Sequence, residues 1–123
     1  MKSILVIDDE ALVARAASRI LKLSGFTVIC TDNGADGVRL AQETAFGLIL
    51  CDVQMTGMNG VQVVCNLREA GNNTPIAFIT GGTGPLAGQV HSLLEQGAVC
   101  ALLDKPFGVD SLTELVTRLL SER

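Results

Sequence analysis

Two of the large aromatic residue types are missing: the 123-residue chain has no Trp and no Tyr, and its only aromatics are four Phe. Stacking platforms for nucleobases or sugars are therefore scarce. There is one histidine, His91, and no C-x-x-C pair among Cys30, Cys51, Cys65 and Cys100, so no set of residues has zinc-site spacing. The four cysteines lie among apolar neighbours and read as buried, reduced thiols. Positive charge is also short, with 9 Lys and Arg against 13 Asp and Glu, a net charge of −4. Tight nucleic-acid binding needs a basic footprint, so no direct nucleic-acid contact is expected. Long apolar runs are absent as well: 48% of the residues are hydrophobic, yet their runs reach only about six residues, against the roughly 20 of a membrane helix. Met1-Lys2-Ser3 leads into an apolar stretch cut by Asp8, Asp9 and Glu10, with no signal-peptide core. The expectation is a cytoplasmic protein with no membrane partner.

What is present is a regular alternation. Short, nearly continuous apolar runs occur at Ile4–Ile7, Thr27–Cys30, Leu48–Cys51, Ile76–Ile79 and Cys100–Leu103, which is how strands buried on both faces read. Between them lie helical spacings: Val13, Ala16, Ala17 and Ile20; Val38 and Ala41; Val61, Val64 and Leu67; Leu86, Val90, Leu93 and Leu94; and Leu112, Leu115, Val116 and Leu119. Ser24-Gly25, Asn33-Gly34 and Gly71-Asn72-Asn73 mark connections, and no linker composition breaks residues 1–123. Five β–α units in one domain predict an α/β fold with a five-stranded parallel sheet and helices on both faces. Strand order 2-1-3-4-5 puts the most apolar strands in the middle.

In such a fold, ligands meet the carboxyl ends of the strands. Those ends carry Asp8 and Asp9 after the first strand, Asp52 after the third, Thr80 after the fourth, and Lys105-Pro106 after the fifth. Taken singly, each has an ordinary reading: Asp8 or Asp9 as a helix cap, Asp52 or Thr80 in a turn, Lys105 as a surface charge. Convergence on one edge is what capping and turn roles leave unexplained. Three carboxylates about 5 Å apart repel by roughly 3 kcal/mol per pair at an effective dielectric near 20. Lys105 offsets one charge, and a hard divalent cation held by oxygens, Mg²⁺ above all, suits the rest.

With those residues in place, the chain from Ile4 to about Leu120 resembles the receiver domain of two-component response regulators, of the stand-alone, chemotaxis-regulator-like kind. The matching pieces are Asp8-Asp9 after Ile4-Leu5-Val6-Ile7, Asn33-Gly34, Leu48-Ile49-Leu50-Cys51-Asp52, Gly57-Met58-Asn59-Gly60, Pro75-Ile76-Ala77-Phe78-Ile79-Thr80, Gly97-Ala98 and Lys105-Pro106-Phe107. The resemblance implies a flavodoxin-like signalling switch, with no effector domain in this chain and no activity as an enzyme beyond its own phosphoryl transfer and slow self-dephosphorylation. Asp52 would accept a phosphoryl group from a phosphohistidine on a sensor histidine kinase or phosphotransfer protein. Asp9, Asp52 and the backbone carbonyl of Gln54 would hold Mg²⁺, with Asp8 acting through a water. Lys105, aimed by a cis bond to Pro106, would pair with the phosphoryl oxygens, and Thr80 would turn inward to hydrogen-bond them. The surface from the fourth to the fifth helix, Leu102 included, would meet a downstream protein or a second copy.

The pattern departs from the family at three places. Thr56 stands where Pro is usual, Leu102 stands where an aromatic residue commonly swings inward, and Gly81-Gly82-Thr83-Gly84-Pro85 is an unusually glycine-rich connection. Three glycines widen its backbone freedom, while Pro85 suits the first turn of the following helix. The loop is not a nucleotide cradle, because it lacks the Gly-Lys-Ser/Thr ending. Gln54 and Gly82 flank the expected phosphate. On the first helix, Arg15, Arg19 and Lys22 read as a solvated face, as does His91 on the fourth; Met55 and Met58 read as packing residues. Two rival functions fare worse. A metal-dependent aspartyl phosphohydrolase expects Asp-x-Asp where this chain has Asp8-Asp9-Glu10, and a binding module without phosphorylation would have no need of the whole set Asp8, Asp9, Asp52, Thr80 and Lys105.

Overall fold

A computed structural model describes residues 2–121; Met1, Glu122 and Arg123, the ends of the expected domain, lie outside the described residues. The elements are β1 (Ser3–Ile7), α1 (Ala11–Leu23), β2 (Thr27–Thr31), α2 (Gly34–Glu43), β3 (Leu48–Asp52), α3 (Gly60–Glu69), β4 (Ile76–Thr80), a 3-10 turn (Gly84–Leu86), α4 (Ala87–Glu95), β5 (Ala101–Asp104) and α5 (Val109–Ser121). All pairings are parallel, and the strand order is β2-β1-β3-β4-β5, as the alternation predicts.

Successive side chains of a strand point to opposite faces, so a strand covered on both sides must be apolar at every position. In β1, Ile4 and Val6 pack with Leu48, Leu50, Ala77 and Ile79 against Ala14, Ala17 and Leu21 of α1 and Leu112 and Val116 of α5. Leu5 and Ile7 face the other way, with Ile49, Cys51 and Phe78, onto Val61, Val64 and Leu67 of α3 and Val90 of α4. The edge strands differ from the expectation. In β2 only Val28 and Thr31 are buried, and β5 alternates between half-buried and exposed positions, because each edge strand has a neighbour on one side only. On α1 the inward stripe is Ala14, Ala17 and Leu21, one position later than the spacing suggested; Ala16 faces solvent.

The cysteine expectation needs correction. Only Cys51, in the central strand β3, is buried; Cys30, Cys65 and Cys100 are exposed. Cys30 is on an edge strand, Cys65 lies off the Val61-Val64-Leu67 face of α3, and Cys100 precedes the other edge strand. Apolar neighbours in sequence do not bury a residue that the fold leaves at a sheet edge or off a helix's packed face.

Two asparagines set the helices behind the carboxyl edge. Asn33 caps α2 by accepting from Asp36 N at 2.8 Å, and Asn59 forms a reciprocal capping box with Gln62 at the start of α3. Gly25 and Gly71 turn the chain at positive φ, +96° and +80°. Pro85 lies in the 3-10 turn, one step ahead of α4 and not in its first turn.

Candidate functional site

Strand register brings the site together. Asp52 and Thr80 are the last residues of β3 and β4, one residue further into the strands than the sequence suggests, and Asp52 pairs with Ile79 while Thr80 pairs with Asp104. Asp8 follows β1 directly and is fixed by its N–H donating to the Thr31 carbonyl at 3.1 Å. The Lys105 N–H donates to the Thr80 carbonyl at 2.8 Å, and the Lys105–Pro106 peptide is cis. Asp8, Asp52 and Thr80 are 0%, 3% and 1% exposed. Burying two carboxylates side by side is unfavourable unless a cation answers them.

That cation is Lys105. Its Nζ lies 2.9 Å from Asp8 Oδ2, 3.2 Å from Asp52 Oδ2 and 2.7 Å from Glu10 Oε1. The other Asp52 oxygen, Oδ1, accepts from Val53 N at 2.8 Å. Asp8 Oδ1 accepts from Glu10 N at 2.9 Å, so Asp8 shapes the turn into α1 while its second oxygen faces the pocket. Burial, reinforced by the Asp8 charge, pushes the Asp52 carboxyl up to about 6 against the pull of Lys105. Partial burial would lower the pKa of Lys105, but hydrogen bonds to Glu10 and Asp8 and the charge of Asp52 outweigh it and hold the ammonium above its ordinary range. Burial also raises the Cys51 thiol, with Asp52 and Asp8 adding to the effect, so this neighbour stays protonated and inert.

Glu10 is the member that sequence reasoning missed. It stands out there only as a break in the apolar run, whereas the structure gives it the shortest contact to Lys105. Carboxylate oxygens of Asp8, Glu10 and Asp52 lie within 4.8 Å of one another, a hard-oxygen set of the kind that holds Mg²⁺. Asp9 is turned elsewhere, its Oδ2 accepting from Thr56 N at 3.1 Å. This is how the loop is tied down at the position where Thr56 replaces the usual Pro. Gln54 sends its side-chain amide to the Gly82 carbonyl at 2.6 Å. The Thr80 hydroxyl donates to the same carbonyl at 2.8 Å and accepts from Gly82 N at 3.0 Å.

An acidic pocket at the strand ends, a lysine bridging it and a hydroxyl at its rim fit more than one phosphate-handling protein; comparison with known proteins decides between them. A family model described as the response regulator receiver domain matches residues 4–117. The chain belongs to this family. Receiver domains are phosphoryl-accepting signalling switches and not enzymes in the ordinary sense. They bind Mg²⁺ at an acidic pocket and interact with sensor histidine kinases or phosphotransfer proteins. Among curated relatives, the chain is 36% identical to transcriptional regulatory protein PrrA of Mycobacterium leprae, over 98% of this chain and 50% of that protein. It is 34% identical to cell cycle transcriptional regulator CtrA of Caulobacter vibrioides, over 94% of this chain and 48% of that one. The receiver domain described here thus spans about half the length of these relatives. Among solved structures, Vibrio cholerae chemotaxis protein CheY4 superimposes with a TM-score of 0.84 at 26% identity, covering 97% of this chain and 98% of that one. Response regulator TrrA of Thermotoga maritima, in complex with Mg²⁺ and BeF, gives 0.82 at 26% identity, with 97% and 99% covered.

Proposed function

We propose that Asp52 is the phosphoacceptor of this receiver domain and that Lys105 and Thr80 read the phosphoryl group it carries. The observation that carries the reading is the contact of Lys105 Nζ with Asp52 Oδ2 at 3.2 Å, at a buried strand end. An oxygen of Asp52 attacks phosphorus, the bond from phosphorus to the donor imidazole nitrogen breaks, and the imidazole leaves with the electron pair. Lys105 is already poised to offset charge on the phosphoryl oxygens. Oxygens of Asp8, Glu10 and Asp52 would hold Mg²⁺, joined by Asp9 and the Gln54 carbonyl that the family likeness assigns to it; the ion supplies charge neutralisation at the transferring group. Once phosphorylated, the strand edge gains roughly two negative charges and three acceptor oxygens. Thr80 then leaves Gly82 for the phosphoryl group, and the β4–α4 region follows. Water reverses the modification slowly, by self-dephosphorylation.

Donors are a phosphohistidine on a sensor histidine kinase or phosphotransfer protein, reached in the cytoplasm. Beside Lys105, a surface hollow of about 490 Å³ lined by Leu12, Val13, Ala16 and Phe107 offers an apolar docking place, and Leu12 is 78% exposed. Exposed Leu102 and Val109 mark the α4 to α5 side for a downstream partner or second copy. Incubation with a phosphohistidine donor tests the proposal: label transfers to the domain with Mg²⁺ and fails to transfer once the ion is chelated. Transfer that proceeds undiminished in chelator contradicts it.

A further inference from the structure

The glycine-rich connection after β4, Gly81–Gly84, is tied to the phosphoacceptor side of the sheet. Three observations meet there. Gln54, on the β3–α3 loop, donates to the Gly82 carbonyl at 2.6 Å, tying this connection to the loop that follows Asp52. The same Gly82 carbonyl receives the Thr80 hydroxyl at 2.8 Å, and Gly82 N donates back to Thr80 Oγ1 at 3.0 Å, so Gly82 engages the hydroxyl both as donor and as acceptor. The backbone is built to fit the Gln54 amide: Gly82 has φ +151° and Gly84 has φ +53°, and a Cβ at Gly84 would come within 3.1 Å of Gln54 Nε2. A side chain at Gly84 would press on the amide group that makes the tie.

We propose that Gln54 is a positioning residue that latches the Gly81–Gly84 connection shut and thereby keeps the Thr80 hydroxyl on Gly82, away from the phosphoacceptor. Both bonds of the Thr80 hydroxyl go to Gly82, so the hydroxyl turns to a phosphoryl group on Asp52 only by giving them up, and Gly82 stays in place to hold it while Gln54 holds the Gly82 carbonyl. The Thr80–Gly82 bonds span two residues, whereas the Gln54 bond joins two separate loops and fixes where Gly82 sits. Gln54 therefore sets how much of the energy of phosphoryl binding is spent on opening the loop. The inference rests on the phosphoacceptor reading of Asp52, and its test separates the two.

The test uses wild type, Gln54→Ala and Gln54→Asn, the last retaining the amide but one methylene short of Gly82. In the metal-free, unmodified proteins, NMR-detected amide exchange at Gly82 and Gly84 reports the latch without any phosphoryl chemistry. Titration with beryllium fluoride in saturating Mg²⁺ then reports the switch. Loss of one exposed neutral hydrogen bond predicts a rise in exchange and a fall in the beryllium fluoride midpoint, each of roughly 2- to 10-fold, in both variants. Loss of a merely structural tie would loosen the loop without tightening binding of the mimic. Unchanged exchange, an unchanged or raised midpoint, or a Gln54→Asn variant that behaves as wild type overturns the latch. If wild type fails to bind the mimic at all, the phosphoacceptor reading fails instead, while the exchange measurement still judges the latch.

Discussion

Lys105 stands among Asp8, Glu10 and Asp52, and its removal leaves three carboxylates facing one another in a half-dry pocket. Asp8 and Asp52 are buried while Glu10 is exposed, and stripping the cation from the buried two costs about 3–5 kcal/mol. Lys105→Ala is accordingly expected to lower stability in chelator, to regain part of it with Mg²⁺, and to slow phosphorylation by about 100-fold; denaturant melts with and without the ion, and single-turnover labelling, check both. Arginine is no rescue, because a planar fork does not place its charge where a compact ammonium sits. For Asp52 the sign runs the opposite way. Its carboxyl titrates near 6 in the folded domain against an ordinary value of 3.8, so ionised Asp52 opposes folding above pH 6, and that opposition fades as pH falls from 6 toward 4. Asp52→Asn should therefore stabilise the metal-free domain by about 1–3 kcal/mol at neutral pH and by nearly nothing near pH 4. Urea unfolding across that range measures it, and an equal gain at both ends would contradict the assignment. Asp52, Lys105 and Thr80 were legible in the sequence because each stands at or just past the end of an apolar strand run. Glu10 was not legible: its reach to Lys105 depends on the turn that Asp8 imposes through the Glu10 N–H, and adjacency in sequence carries no such information.

The elements that hold the pocket in place are packed against it without slack. Gly60, the first residue of α3, lies so close behind Asp52 that an added Cβ would stand 2.3 Å from the Asp52 carbonyl oxygen and 2.9 Å from Val53 Cα. Both neighbours are backbone and have no rotamer to yield. Gly60→Ala is expected to destabilise the domain by about 1–3 kcal/mol and to slow phosphorylation of Asp52, whereas Gly81→Ala, with nothing within 4 Å of the new Cβ, should stay within about 0.5 kcal/mol of wild type; thermal melts of the two variants compare them directly. At this scale the sequence reveals which segments form strands and helices but not every face. β1, β3 and β4 are apolar throughout because helices cover both sides, so their runs show through. β2 and β5 carry similar composition yet lie at the edges, and the exposure of Cys30 and Leu102 goes with that place. On α1, exposed Leu12 and Leu23 blur the stripe, and the inward face had to be found from Ala14, Ala17 and Leu21.

Across the whole molecule, a parallel sheet with two apolar faces leaves one polar edge, and the chain puts its buried charges there. Among the described residues no helix is long and apolar enough to cross a membrane. Sheet order was legible from apolar content, since the three most continuous strands occupy the centre. The tie between Gln54 and Gly82 was not, because it joins loops 28 residues apart whose approach only the assembled sheet creates. The switch as a whole rests on one covalent event at one side chain. Mass spectrometry after incubation with a small phosphodonor and Mg²⁺, on wild type and on Asp52→Asn, tests it most directly. The predicted result is a single Mg²⁺-dependent phosphate adduct on wild type, located at Asp52 and absent from the variant; no adduct, or one that persists in Asp52→Asn, would contradict the account.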